Sequence, residues 1–261
     1  MKLQKIIKNA LNIEYNRAIL AKKVQFNSLL KTYSQEYPNI PDLNTSKFWD
    51  NLNEDYKITK KDNPIAYHRF TIFKKLINTS KKVLNIGVGA GILEEFISKN
   101  SALKQNWFGI DIASNSIKRL RKKFPNATLK IAKIQKIPFK DNFFYYVIAS
   151  EILEHIVPSE VFQALSEVNR VLEKGGIFIV SVPLNEGLEN MVKKGENPNA
   201  HVRVYTPELI EAELQLAGFK VKRHILLYAF PNYYWIKSFI VKYILSGIRK
   251  PNNMIILAVK L

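Results

Sequence analysis

Glycines at 87, 89 and 91, an aspartate at 111, glutamates at 151 and 154 and histidines at 155 and 201 are the residues whose types and spacing suit chemistry. Glycines spaced Gly-x-Gly-x-Gly let backbone N–H groups approach a ligand where a Cβ would block it, and pass that ligand to a helix N-terminus. An ATP-binding loop needs Lys-Ser/Thr after its last glycine, and none follows Gly91. The dinucleotide fingerprint needs its third glycine one position later, where Ile92 stands. Glu151, Glu154 and His155 fall at i, i+3 and i+4, so a helix starting at 151 would set all three on one face. His155 and His201 titrate nearest neutral pH and are candidate bases.

The elements that must position these residues alternate. Val83, Leu84 and Ile86 predict a strand over 82–87, and helical spacing of Ile92, Leu93 and Phe96 predicts a helix near 91–99. Further strands are predicted at 106–111, 128–132, 145–149, 177–182, 221–228 and 254–259, with helices near 115–123 and 159–172 and one ending at Ala217-Gly218. Such alternation gives a parallel sheet with helices on both faces, and ligands bind beyond the carboxyl ends of its strands. Asp111 ends the second strand twenty residues past Gly91, a position suited to accepting both hydroxyls of a ribose. Asp111 or Ser114 could otherwise cap the basic helix that follows.

Two further landmarks follow in order: Ile137-Pro138-Phe139 with Asp141-Asn142 before the fourth strand, and the run from Glu167 to Gly176 before the fifth. Together with the glycine turn and Asp111 they resemble the class I S-adenosylmethionine-dependent methyltransferases, type 11 group, over roughly residues 63 to 225. The resemblance implies an α/β fold, a Rossmann-like seven-stranded mostly parallel sheet, with S-adenosyl-L-methionine as cofactor. Gly87, Gly89 and Gly91 would hold the methionine end and Asp111 the ribose, with Asn85, Ile112, Ile134 and Ser150 in the same pocket. A helix starting at Asn63-Pro64 would cover that pocket and offer Arg69 or Tyr67 to the methionine carboxylate. Departures fall at Asn85, Lys133 and Tyr145, where the family often carries acids. An ammonium has no acceptor, so adenine would be read by backbone groups or Gln135.

Methyl transfer from a sulfonium is an in-line displacement that needs alignment and, for a hydroxyl acceptor, removal of its proton. Glu151, His155 and His201 would occupy the acceptor side. Glu-x-x-Glu-His with a distant His is also similar to the site of small-RNA 3′-terminal 2′-O-methyltransferases, and its first part to ubiquinone-pathway O-methyltransferases. That likeness implies, as the alternative, a divalent metal on Glu151, Glu154, His155 and His201, with Mn, Fe or Zn suited to such donors.

Composition sets the bounds. The 261 residues suffice for one sizeable core plus an appendage. The expected division is a basic helical extension over 1–62, with an amphipathic helix through Leu3, Ile6, Ile7, Ala10 and Leu11, and a methyltransferase domain over 63–261 that carries an aromatic insertion at 229–250. Packing against the N-terminal helix is the simplest use of that insertion; a lid, a dimer contact and an interfacial helix on lipid are the others. No cysteine occurs, which excludes disulfides, thiolate metal sites and a cysteine nucleophile. The N-terminus lacks an uninterrupted apolar segment, so a cytoplasmic chain is expected, with at most peripheral membrane contact. A formal charge of +18 draws polyanions. The expected activity is therefore O-methylation of a small-molecule or lipid-linked acceptor. RNA methylation of the 2′-O type is the alternative, because Ser150-Glu151-Ile152-Leu153 is not the Asp/Asn-Pro-Pro-aromatic signature of exocyclic-amine methylation. A cofactor-binding protein without catalysis is the third, prompted by Asn85 and Lys133.

Overall fold

The computed structural model describes residues 44–261 apart from 55, 57, 99–102, 104, 197–198 and 246. The helix expected near the N-terminus lies outside the described residues.

Strands β1 (Val83–Ile86), β2 (Trp107–Asp111), β3 (Thr128–Ile131), β4 (Phe144–Ser150), β5 (Leu172–Pro183), β6 (Phe219–Leu227) and β7 (Asn253–Lys260) form one sheet in the order β3-β2-β1-β4-β5-β7-β6. β1 pairs in parallel with β2 and β4, and only β7 runs against its neighbours. Every residue of β1 is buried, which is why it reads as a nearly unbroken apolar run: helices cover both faces. On one face α2 (Pro64–Leu76), α3 (Ile92–Ser98) and α4 (Ser114–Lys123) contribute Phe70, Phe73, Phe96, Ile117 and Leu120 to the core. On the other, α5 (Val161–Val171) and α7 (Pro207–Leu216) contribute Ala164, Leu165, Val168, Leu209 and Ile210. Between these two lies the short α6 (Leu188–Lys193), and the insertion carries α8 (Tyr234–Tyr243).

Helix starts follow local chemistry at some points and tertiary contacts at others. Asn63 caps α2 by accepting the Ala66 N–H at 3.1 Å, with Pro64 in the first turn, as expected. In α1 (Ser46–Asn53) the cap is Thr45, whose hydroxyl accepts the Phe48 N–H at 3.2 Å, and the Ser46 hydroxyl turns elsewhere. Ser46 Oγ instead accepts the Ser114 N–H at 3.2 Å, and Asp50 Oδ1 accepts those of Asn115 and Ser116 at 2.9 and 3.0 Å. A carboxylate from another helix thus satisfies the N-terminus of α4, in place of a cap from Asp111 or Ser114.

The chain does not turn helical at 151. Glu151 sits in the left-handed region at φ 55° and still donates its N–H to Ser181 O at 3.0 Å. A short 3₁₀ turn over Leu153–His155 follows, then a second over Pro158–Glu160, and α5 begins only at Val161. The single helical face expected for Glu151, Glu154 and His155 is therefore absent.

Beneath the glycine turn, Glu94 of α3 is fully buried; its Oε1 accepts from Asn85 Nδ2 at 2.8 Å and Trp107 Nε1 at 3.0 Å, while Oε2 has no partner. Burial pushes its carboxyl above the usual range, against the pull of those donors. A carboxyl whose folded-state pKa is raised adds stability below its unfolded value, and that stability is lost as pH rises through the folded one. Glu94→Gln should remove this dependence. Melting curves at about pH 5 and about pH 8 should show the wild type losing more stability on alkalinisation than the variant. Glu94→Ala should destabilise at both, by about 1–3 kcal/mol per orphaned donor.

Candidate active site

The turn after β1 is held by backbone groups. Gly87 donates its N–H to Ile110 O at 2.8 Å and lies at φ 74°, where an added Cβ would meet Ile152 Cδ1 at 2.1 Å. Gly89 donates to Asp111 Oδ2 at 2.8 Å, and Ala113 donates to Oδ1 at 2.8 Å. Asp111 is 8% exposed; burial raises its carboxyl pKa while those N–H groups oppose the shift. Gly91 differs from the other two glycines. It lines neither cavity described below, and at φ 84° it brings the start of α3 so close to α4 that a Cβ would lie 2.5 Å from Leu120 Cδ2. Its expected place at the ligand is thus taken by a packing role.

A cavity of about 310 Å³ opens at the strand tips, lined by Gly87, Gly89, Asp111, Ile112, Lys133, Ile134, Gln135 and Ser150. All eight are residues at which the sequence predicts a ligand contact, a departure from the family pattern at Lys133, or, for Gln135, a reader of adenine. The Gln135 side-chain amide donates to Glu160 Oε2 at 2.7 Å. Trp49 and Asn53 of α1 close the cavity, and sequence reasoning missed both, since contacts of Ser46, Asp50 and Asn53 with α4 bring that helix here.

A second cavity of about 530 Å³ adjoins the first, with Gly87, Gly89, Ser150, Glu151, His155, Trp49 and Asn53 lining both. Arg69, Asn85, Glu186, His201 and Asn253 line the second, with apolar walls from Leu52, Tyr56, Ile58, Ile65 and Phe70. Arg69 is buried, and its Nη1 pairs with Glu151 Oε2 at 3.1 Å. Glu151 also accepts from Ser181 Oγ at 2.8 Å and from Asn253 Nδ2 at 3.0 and 2.9 Å. Tyr67, the other residue considered for the methionine carboxylate, packs edge-on against Phe96 at 5.0 Å and lines neither cavity.

The rings of His155 and His201 lie 4.9 Å apart, and Trp49 packs against His155 at 4.8 Å. His155 Nδ1 is 3.2 Å from Ala200 O; burial, then the His201 ring, pull its pKa down to about 4, so the imidazole is neutral at neutral pH. His201 Nδ1 meets Glu186 Oε2 at 2.7 Å. Glu154 is fully buried with both oxygens unpartnered, Oε1 standing 3.9 Å from His155 Nε2. Burial, then Glu151, push its carboxyl well above the usual range. One ligand atom each from Glu154, His155 and His201 lies within 4.8 Å of the others. Glu151 stands outside this group, so the four-residue set of the alternative metal reading reduces to three.

Residues 84–180 match the family model described as a methyltransferase domain. An uncharacterized protein of Methanocaldococcus jannaschii, MJ1252, is 30% identical over 72% of this chain and 81% of its own length. A Mycolicibacterium smegmatis relative named a probable S-adenosylmethionine-dependent methyltransferase is 26% identical over 54% of this chain and 53% of its own. The chain belongs to the S-adenosylmethionine-dependent methyltransferases. The crystal structure of such a methyltransferase from Methanosarcina mazei shares the fold, with a TM-score of 0.54 at 18% identity over 73% of this chain and 97% of that one. This methyltransferase is thus an enzyme whose cofactor is S-adenosylmethionine.

Asp111 both ties the glycine turn to the second strand tip and lines the smaller cavity. Asp111→Ala should weaken S-adenosylmethionine binding at least about tenfold by titration calorimetry, since buried charge-assisted contacts of this kind contribute about 1.5–3 kcal/mol.

Proposed function

We propose that the smaller cavity takes S-adenosylmethionine, with Asp111 at the ribose, Gly87, Gly89, Ile112, Ile134 and Ser150 around it, and Asn85 next to it on the wall of the adjoining cavity. The larger cavity takes a hydroxyl-bearing small-molecule or lipid-linked acceptor. The reading is carried by one observation, the contact of His201 with Glu186 beside the wall shared by both cavities. A carboxylate on Nδ1 fixes the tautomer and orientation of the ring. Bound there, S-adenosylmethionine would supply an electrophilic methyl group for the acceptor oxygen, and His201 would take the proton that the acceptor hydroxyl gives up. His155, with its pKa near 4, is a weak proton acceptor at neutral pH and orients the acceptor instead. Glu151 and Arg69 neutralise each other across the shared wall and present a fixed dipole to the acceptor. The aromatic and aliphatic walls favour an acceptor with an apolar body.

His201→Gln should lower kcat about 10²–10⁴-fold while leaving cofactor affinity within about twofold, the pattern of a lost base rather than a lost binding contact. The acceptor class is tested by incubating the enzyme with methyl-labelled cofactor and fractionated lipid, small-molecule and RNA extracts. Label in the first two supports the reading; label confined to RNA replaces it.

Glu154 supports a second reading. Two unpartnered, fully buried carboxylate oxygens beside two imidazoles fit a divalent cation held by Glu154, His155 and His201. One carboxylate with two imidazoles suits zinc, manganese or iron better than magnesium. A bound cation would supply Lewis-acid activation of the acceptor hydroxyl. Metal analysis of the purified protein, with melting curves in added manganese or zinc, separates the two. Near-stoichiometric metal and a raised melting point that Glu154→Gln abolishes would favour the cation; neither would leave His201 as the base.

A further inference from the structure

The insertion between β6 and β7 is at odds with its surroundings. Of the ten residues of α8 only Tyr234 is buried. Its hydroxyl lies 3.0 Å from His68 Nδ1, and Trp235 packs on the His68 ring at 4.8 Å, so the helix is pinned to α2 at one end. Ile240 and Val241 are half-buried, but most of the large side chains face outward: Tyr233 is 76% exposed, Ile236 63%, Phe239 58%, Tyr243 65%, Ile244 65% and Ile248 73%. A contiguous apolar surface of this kind marks a contact site, whereas single exposed apolar residues do not.

Charge identifies the occupant. No acidic residue occurs between Glu213 and Leu261, and Lys237, Lys242, Arg249 and Lys250 are all exposed along the apolar segment. Lys60 adds its ammonium 5.4 Å from the Trp235 ring. A second copy of the chain would bring the same positive face to itself. Residues 1–43 carry seven basic side chains against three acidic, so they too repel it. A polyanion is required, and one that accepts branched aliphatic side chains. Ile236, Ile244 and Ile248 have no π-face to stack on bases, but they enter the acyl boundary of a bilayer while lysine and arginine heads meet the phosphates. Among the described residues no helix is long and apolar enough to cross a membrane, so such a contact would lie in the plane of the surface.

We propose that residues 233–250 form a docking surface for an anionic lipid membrane, and that docking turns the mouth of the larger cavity toward the lipid. Ala229, just before the segment, and Arg69, next to His68 on α2, both line that cavity. This rests on the reading of the larger cavity as an acceptor site and narrows it to an acceptor delivered at a membrane interface.

The test is co-sedimentation of the full chain with phosphatidylcholine vesicles, with and without phosphatidylglycerol. Binding should require the anionic lipid and weaken with salt. The combined variant Ile236→Ser, Phe239→Ser, Ile244→Ser and Ile248→Ser should bind at least about tenfold less. Its affinity for S-adenosylmethionine should not change, which also shows that it folds. Lys237→Glu with Lys242→Glu should remove the preference for phosphatidylglycerol. Failure of the wild type to bind anionic vesicles, or equal binding by the serine variant, overturns the proposal. Capture of single-stranded RNA by the wild type alone, with vesicles ignored, reassigns the face to nucleic acid and also overturns it. Methyl transfer to a soluble acceptor that persists without vesicle binding would sink this inference while leaving the acceptor site standing.

Discussion

A buried carboxylate that accepts N–H groups from two loops is the constraint on which the glycine-turn end of the molecule depends. Asp111 at the tip of β2 draws Gly89 toward itself through one oxygen and Ala113 through the other. Without those donors, desolvation would disfavour the ionised side chain; without the side chain, two N–H groups at the strand tips would need water. The result is a turn whose backbone is fixed before any ligand arrives. Glycine at 87 is part of the same constraint, because Ile152 fills the space that a side chain would need.

The other end of the site is organised by Glu151. Its left-handed backbone is uncommon for a residue with a Cβ, and surrounding contacts over-determine it. The N–H remains bonded to β5 while the carboxylate reaches Ser181 of β5, Asn253 of β7 and Arg69 of α2. Three elements distant in sequence therefore meet at the wall between the two cavities. The antiparallel entry of β7 beside β5 delivers Asn253, so the reversed strand serves the site as well as the sheet.

Closure comes from outside the alternating part of the chain. Asp50 satisfies the start of α4, and that bond carries Trp49 and Asn53 of the same helix over the cavity. Trp49 in turn packs on His155, which faces His201. The capping of one helix by another thus bears on both cavities, by a route of packed contacts.

The sheet, its glycine turn and the acidic end of β2 were legible in the sequence because they are local: a β-branched run, glycine spacing and helical periodicity within about thirty residues. Asn63 as a cap and the apolar character of the insertion were legible for the same reason. The 3₁₀ turn after β4, the withdrawal of Glu151 from Glu154 and His155, and the turn of Gly91 toward Leu120 were not, since each is decided by a neighbour from another element. The roles of Asp50, Trp49, Glu186 and Asn253 belong to the same group. Composition and short-range pattern determined the layers, the order of elements and which strand tips carry functional groups. Only the folded chain decided which of those groups meet, because burial and hydrogen-bond partners are set by residues tens to a hundred positions away.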